Sequence, residues 1–350
     1  MDPRDYIPAY LERAYATAHD DLTPAARALL HEEVRRDPER YATSEHARAL
    51  LAYAQTHDRL MRELDRMEDL PDEEFERQRD RLFQEMRRAL RSIWTSDHLC
   101  VDAQLVDILL ADVAPDARLN DLLRLEKETR AYLLESVAGF DLDAPAFWHE
   151  GAVDPAGPDD SPALPDGPAE LTRSNPEVVG WLHTLEALSQ ECLATARYRA
   201  AATYARQVMR AQGYPNRAVG TLLLALARLE EEDAFFEAAR SGGDGVEDSP
   251  WYLLGRTLLL YKLGRRKNAR RALKDFSNRC DGGAFFLLNP TYMTPYLPVR
   301  PEPREGWELS HQAVWEADGI IVDTPDFAAW AASIDGIDRL SEDFARRNGF

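Results

Sequence analysis

Cysteine is scarce in this chain. Cys100, Cys192 and Cys280 are the only 3 in 350 residues. Wide spacing, an odd count and the lack of any C-x-x-C pair argue against a disulfide framework and predict three free thiols. A zinc site built on His98, Cys100 and Asp102 lacks a fourth ligand and the spacing of a zinc knuckle, so neither metal nor other cofactor is expected. No apolar run approaches the roughly 18 residues that cross a bilayer, which argues against a membrane partner. Met1-Asp2-Pro3-Arg4-Asp5 lacks the basic and apolar regions of a secretion signal, and the expectation is a cytoplasmic protein. Basic residues are outnumbered, 42 against 62, for a net charge of -20 that repels phosphate backbones and argues against nucleic acid. P-loop, G-x-S-x-G, H-E-x-x-H and dinucleotide fingerprints are all missing, so an enzyme is not the first expectation.

What the chain does have is helix punctuation. Thr23-Pro24 reads as an N-cap with proline at the first helical position, and Thr43 or Ser44 opens a second helix with Ala47, Leu50, Leu51, Ala54, Met61 and Leu64 on its apolar face. Leu70-Pro71-Asp72 starts a third, where Phe75, Leu82, Phe83, Met86, Leu90 and Ile93 wind down one side and Arg and Glu crowd the other as a solvated face. A hairpin over 102–113 and 117–135 breaks at Ala114-Pro115-Asp116. From Gly151 to Pro168 the chain is rich in Gly, Pro, Asp and Ala, which marks a linker. The predicted organisation is an all-α array of helical hairpins with an N-terminal helical bundle. Its parts are a helical region over 1–140, a linker over 141–174, repeats over 175–299 and a helical cap over 300–350.

Beyond the linker, Pro176, Pro215 and Pro250 precede apolar-periodic stretches at separations of 39 and 35 residues, and Ala201, Ala234 and Ala269 recur at 33 and 35. These spacings suggest a repeat of about 34 residues. The last unit reads Trp251-x-x-Leu254-Gly255, then Tyr261-Lys262-Leu263-Gly264 and Ala269 with Leu273 and Phe276. It resembles the tetratricopeptide signature. The first unit shares its apolar positions, through Leu185, Leu188 and Cys192 and then Tyr198, Ala201 and Ala205, whereas the middle unit lacks the Trp, Leu and Gly triplet. Asn289 to Pro298 ends the array as an extended segment anchored by its aromatics. Trp307, Ala313 and Trp315, then Thr324 to Trp330, follow as two closing helices. In these features residues 176–335 resemble the suppression-of-tumorigenicity-like branch of tetratricopeptide proteins and its bacterial relatives. That resemblance implies a fold and an adaptor role, with no enzymatic activity to carry over.

The resemblance also implies a protein or peptide partner held on the first helices, at His183, Glu186 and Gln190, Asn216, and Tyr252 and Arg256. The carboxylate-clamp positions hold Gln190, Leu223 and Arg256 in place of the Lys and Asn that specificity needs, so a peptide C-terminus is not the expected ligand. Arg265, Arg266, Lys267, Arg270, Arg271 and Lys274 form a basic cluster suited to an acidic partner or to the protein's own acidic N-terminal region. A metal-dependent helical hydrolase is the alternative, built on the His19-Asp20 and His57-Asp58 dipeptides with His31 and His46 nearby. Self-assembly through the hairpins into a homo-oligomer is a third expectation.

Overall fold

The computed structural model describes residues 2–350 except 20, 21, 69, 138, 139, 141–173, 212, 213, 215–217, 295, 298 and 300. The described residues form 16 α-helices packed in neighbouring pairs, with no strand among them. An all-α helical array is therefore the observed architecture. The predicted linker falls almost wholly on residues outside those described. Two compact units are present, and the division between them falls inside one helix, after Ala187.

The first unit comprises Met1–Ala187 with Arg210–Pro215 and Pro298–Pro301. Its helices are α1 (Pro3–Ala18), α2 (Pro24–Arg36), α3 (Glu45–Met67), α4 (Asp72–Ser96), α5 (Val101–Leu109), α6 (Pro115–Ser136) and the larger part of α7 (Pro176–Ala194). Helix α1 packs on α2 and α3, α3 on α4, α4 on α5, and α5 on α6. The caps follow from residue chemistry. Thr23 accepts a hydrogen bond from the Ala26 amide, and Ser44, rather than Thr43, accepts from Ala47, each satisfying an amide that the first turn leaves unpaired. On α4 the expected stripe is inside, with Leu82, Met86 and Leu90 buried. Its arginine face is more than a solvated surface. Arg87 and Arg91 donate to the buried Asp107 carboxylate at 2.8 and 3.0 Å, and the Trp94 indole adds a third donor at 3.3 Å. These bonds tie α4 to α5.

The second unit comprises Leu188–Met209, Asn216–Leu297 and Glu302–Phe350. It holds the end of α7, then α8 (Tyr198–Met209), α9 (Ala218–Leu229), α10 (Glu232–Ser241), α11 (Pro250–Lys262), α12 (Arg266–Arg279), α13 (Gly283–Leu288), α14 (Gly306–Val322), α15 (Phe327–Ala332) and α16 (Ile337–Asn348). Three first helices, α7, α9 and α11, end in the same turn. The amides of Arg197, Glu231 and Arg265 donate to the carbonyls of Cys192, Leu226 and Leu260 at 2.7, 3.1 and 2.9 Å, and Ala196, Glu230 and Gly264 occupy the left-handed region. This is a Schellman stop, which satisfies carbonyls the helix end leaves free. It recurs at intervals of 34 and 34 residues, so the repeat is a property of the backbone.

Close approach between neighbouring hairpins depends on two glycines. A Cβ on Gly220 of α9 would lie 2.8 Å from the Trp251 ring, and one on Gly255 of α11 would lie 3.1 Å from the Phe235 ring. Ala201 and Ala269 are fully buried where the second helices meet their partners, whereas Ala234 is half-buried and Phe235 fills the middle unit instead. The region after the array differs from the two helices expected. Three helices follow residue 305, because Gly336 takes a positive φ of 87° and starts α16 separately from α15. Pro290–Tyr292 forms a short 3-10 turn, and the Tyr296 hydroxyl donates to the Glu308 carbonyl at 2.7 Å.

Only one of the three stop residues is glycine, and a side chain in left-handed backbone costs about 1 kcal/mol. Glu230→Gly and Ala196→Gly are therefore expected to stabilise the protein by roughly 0.5 kcal/mol each after the added freedom of the unfolded chain is subtracted. Gly264→Ala is expected to destabilise it. Urea denaturation gives the three signs directly.

Candidate functional site

Helices α1, α3, α5 and α7 of the first unit bring together polar residues that are far apart in sequence. Asp102 opens α5 and is 3% exposed. The Tyr6 hydroxyl of α1 donates to its Oδ2 at 2.5 Å, and His183 Nδ1 of α7 lies 2.9 and 3.0 Å from its two oxygens. Rings enclose the cluster: His183 meets Tyr6 edge-on at 6.3 Å and Tyr214 at 5.7 Å. The Tyr214 hydroxyl in turn donates to Glu186 Oε2 at 2.6 Å, one helical turn beyond His183. Glycine explains how α7 reaches α5. A Cβ at Gly180 would stand 2.7 Å from the Val101 Cβ, so only glycine admits the contact that carries His183 to Asp102.

Electrostatics follow from this geometry. Burial alone would raise the Asp102 carboxyl, but the His183 imidazole and the hydrogen bonds from His183 and Tyr6 outweigh it and hold the group below its usual value. Burial, then the Asp102 charge, pushes the Tyr6 and Tyr53 hydroxyls well up. His57 of α3 is lowered, chiefly by burial, against the opposing pull of the Asp2 and Asp102 carboxylates. The cluster thus sets an ionised Asp102 carboxylate near a His57 imidazole that resists protonation. Below about pH 6.5 the unfolded chain takes up a proton at His57 more readily than the folded one. Stability is accordingly expected to fall as pH drops from the ordinary histidine value towards the lowered one. His57→Gln removes that part of the slope in denaturation measured across pH 7 to 5.

A second polar contact pins the start of α7 in the same unit. His46 Nδ1 lies 2.6 Å from Asp97 and its Nε2 lies 3.4 Å from Glu177, with Tyr10 edge-on at 5.5 Å. Burial raises the Glu177 carboxyl, partly offset by His46.

Among the residues anticipated on the first helices, His183 and Glu186 fall in the cluster just described. Gln190 is exposed, and Asn216 lies outside the described residues. Tyr252 is buried and stacks on Phe235 of α10, while Arg256 lies over the Tyr252 ring and bonds Asp275 of α12 at 2.5 Å. Both therefore face second helices. The other side of α9 and α11 is covered by α14, where Glu316 accepts from the Trp251 indole at 2.7 Å.

The histidines of the hydrolase alternative are engaged separately. His19 stacks on Tyr15, His31 meets Glu12 at 2.8 Å, and Asp58 pairs with Arg62 at 2.9 Å; Asp20 lies outside the described residues. Among the described residues no group of three or more His, Cys, Asp or Glu is placed to hold a metal ion.

The cysteines are free and buried. Burial pushes the Cys192 thiol up to about 11 and the Cys280 thiol up to about 12, and raises Cys100 further. Native protein at pH 7 is expected to resist maleimide at all three until urea exposes them.

No family model, curated protein or solved structure matches the chain. Among the described residues no helix is long and apolar enough to cross a membrane.

Proposed function

We propose that the protein is a non-catalytic scaffold, of tetratricopeptide-like build, that binds a peptide or helix of a partner protein on helices α1, α3, α5 and α7 of its first unit. One observation carries the reading. Helices α1, α3, α5 and α7 contribute Tyr6, His57, Asp102, His183 and Glu186 to a single polar cluster in which His57, His183 and Glu186 remain partly accessible. A buried carboxylate held by hydrogen bonds gives a fold little that apolar packing would not give, so its presence favours a role in recognition. The 34-residue register of the turns supports the tetratricopeptide-like build, whose helical faces serve peptide binding in general. Three buried, unbridged thiols suit a cytoplasmic setting.

The test is affinity capture from the native organism with the full chain and with a His183→Ala/Glu186→Lys variant that retains its helicity. Partners retained by the first and lost by the second support the reading. An identical set on both, or none above background, contradicts it.

A further inference from the structure

Helix α12 carries charge that works against its own stability. Arg265, Arg266 and Lys267 sit at its N-terminal end with no acid in the first turn, where the helix dipole repels cations. Like charges also stand four residues apart, at Arg266 and Arg270, Lys267 and Arg271, and Arg270 and Lys274, each pair unfavourable by tenths of a kcal/mol. The helix has one acid, Asp275, and Arg256 of α11 holds it.

The surrounding structure relieves part of this and leaves the rest. Arg265 pairs with Glu232, Arg266 lies 3.4 Å from the Tyr261 ring centroid, Arg270 meets Asp335 at 3.2 Å, and Arg279 pairs with Asp248. Lys267, Arg271 and Lys274 have no ion pair among the described residues, and the first two are exposed. Their spacing of i, i+4 and i+7 puts them on one stripe, opposite the buried Ala269, Ala272, Leu273 and Phe276. In a chain with 62 acidic residues against 42 basic ones, three adjacent cations without partners are the reverse of what charge balance alone would leave. A local arrangement that weakens the fold without a compensating contact points to a surface kept for another molecule.

We infer that this stripe docks an acidic helical segment of a partner protein, with carboxylates repeating at i, i+4 and i+7 to match it. The stripe runs from Lys267 to Lys274, seven helical steps or about 10 Å. Charge complementarity selects that occupant. A phosphate polymer binds through a long track of cations and meets the net charge of -20 beyond the stripe, whereas a short acidic helix needs three contacts. The stripe shares no residue with the Asp102 cluster, and the inference stands whether or not that cluster binds a partner.

The test uses the full chain and a side-chain-stapled helical peptide with Glu at i, i+4 and i+7, read by fluorescence anisotropy at low salt. Binding is expected to weaken at least tenfold with Lys267→Glu/Arg271→Glu and with the peptide's Glu replaced by Gln, and to be unchanged by His183→Ala/Glu186→Lys. Lys267→Glu should also raise the melting temperature, since it places an acid in the first turn. Equal binding by wild type and the charge-reversed variant would overturn the inference, as would equal binding of the Gln peptide. Tighter binding of single-stranded RNA or phosphatidylserine vesicles through the same residues would overturn the choice of partner.

Discussion

Asp102→Ala is expected to lower the stability of the first unit by about 2–4 kcal/mol, because a buried hydroxyl loses its acceptor and a second helix loses its hydrogen-bonded link to α5. The substitution takes the acceptor from the buried Tyr6 hydroxyl and the carboxylate partner from the half-buried His183 at once. The loss is larger than the side chain's volume implies, because partners on two different helices lose the group that joins them. Tyr6→Phe removes one donor and keeps the acceptor, so it should cost about 1–2 kcal/mol. If His183 and Asp102 act as a unit, the double variant with His183→Ala will be less unstable than the sum of the two single ones. Chemical denaturation followed by circular dichroism reads all four proteins. A loss for Asp102→Ala below 1 kcal/mol would show that the carboxylate is not the hub of the cluster.

Gly180→Ala is expected to cost about 1–3 kcal/mol, although alanine is the better helix former by nearly 1 kcal/mol. The added carbon would fall 2.7 Å from the Val101 Cβ, an atom fixed to the backbone, so α7 or α5 must shift as a body. Such a shift separates His183 from Asp102, since His183 lies three residues further along the same helix. A loss of stability together with a changed His183 imidazole signal in NMR would show both effects. A neutral or stabilising outcome would mean that the two helices pack less closely than the geometry indicates.

These expectations rest on features that differ in how far sequence reveals them. The helices were legible because their caps and breakers are local: Thr23, Ser44, Pro115 and Pro250 each mark a start with a nearby hydrogen bond or a fixed φ. The repeat was visible only approximately. Prolines and alanines gave separations of 39 and 35 or 33 and 35, whereas the turns repeat at 34 and 34, because two of the three stop residues are Ala196 and Glu230, which carry no glycine signal. Helical periodicity likewise marks an apolar face but leaves its partner open. Trp251 and Tyr252 are adjacent aromatics about 100° apart on α11, and the structure turns the first towards α14 and the second towards α10.

Single residues of the Asp102 cluster stood out for unrelated reasons: His183 and Glu186 by position on a first helix, His57 by its aspartate neighbour, and Asp102 by proximity to Cys100. Nothing local joins them. The Tyr6 to Asp102 bond spans 96 residues and the His183 to Asp102 bond 81, distances at which periodicity carries no information. Tyr6 and Tyr53 gave no signal at all, since a tyrosine on an apolar helix face is indistinguishable from core until its hydroxyl finds an acceptor.

The central claim is that the Asp102 cluster faces a partner. Site-specific photo-crosslinking tests it most directly, with a benzophenone amino acid at position 186 in one full-length protein and at the exposed position 346 in another, both irradiated in the native organism. The account predicts a discrete crosslinked partner from position 186 that is absent from position 346 and lost when His183→Ala is added. The same faint pattern from both positions, or a crosslink at 186 indifferent to His183, would contradict it.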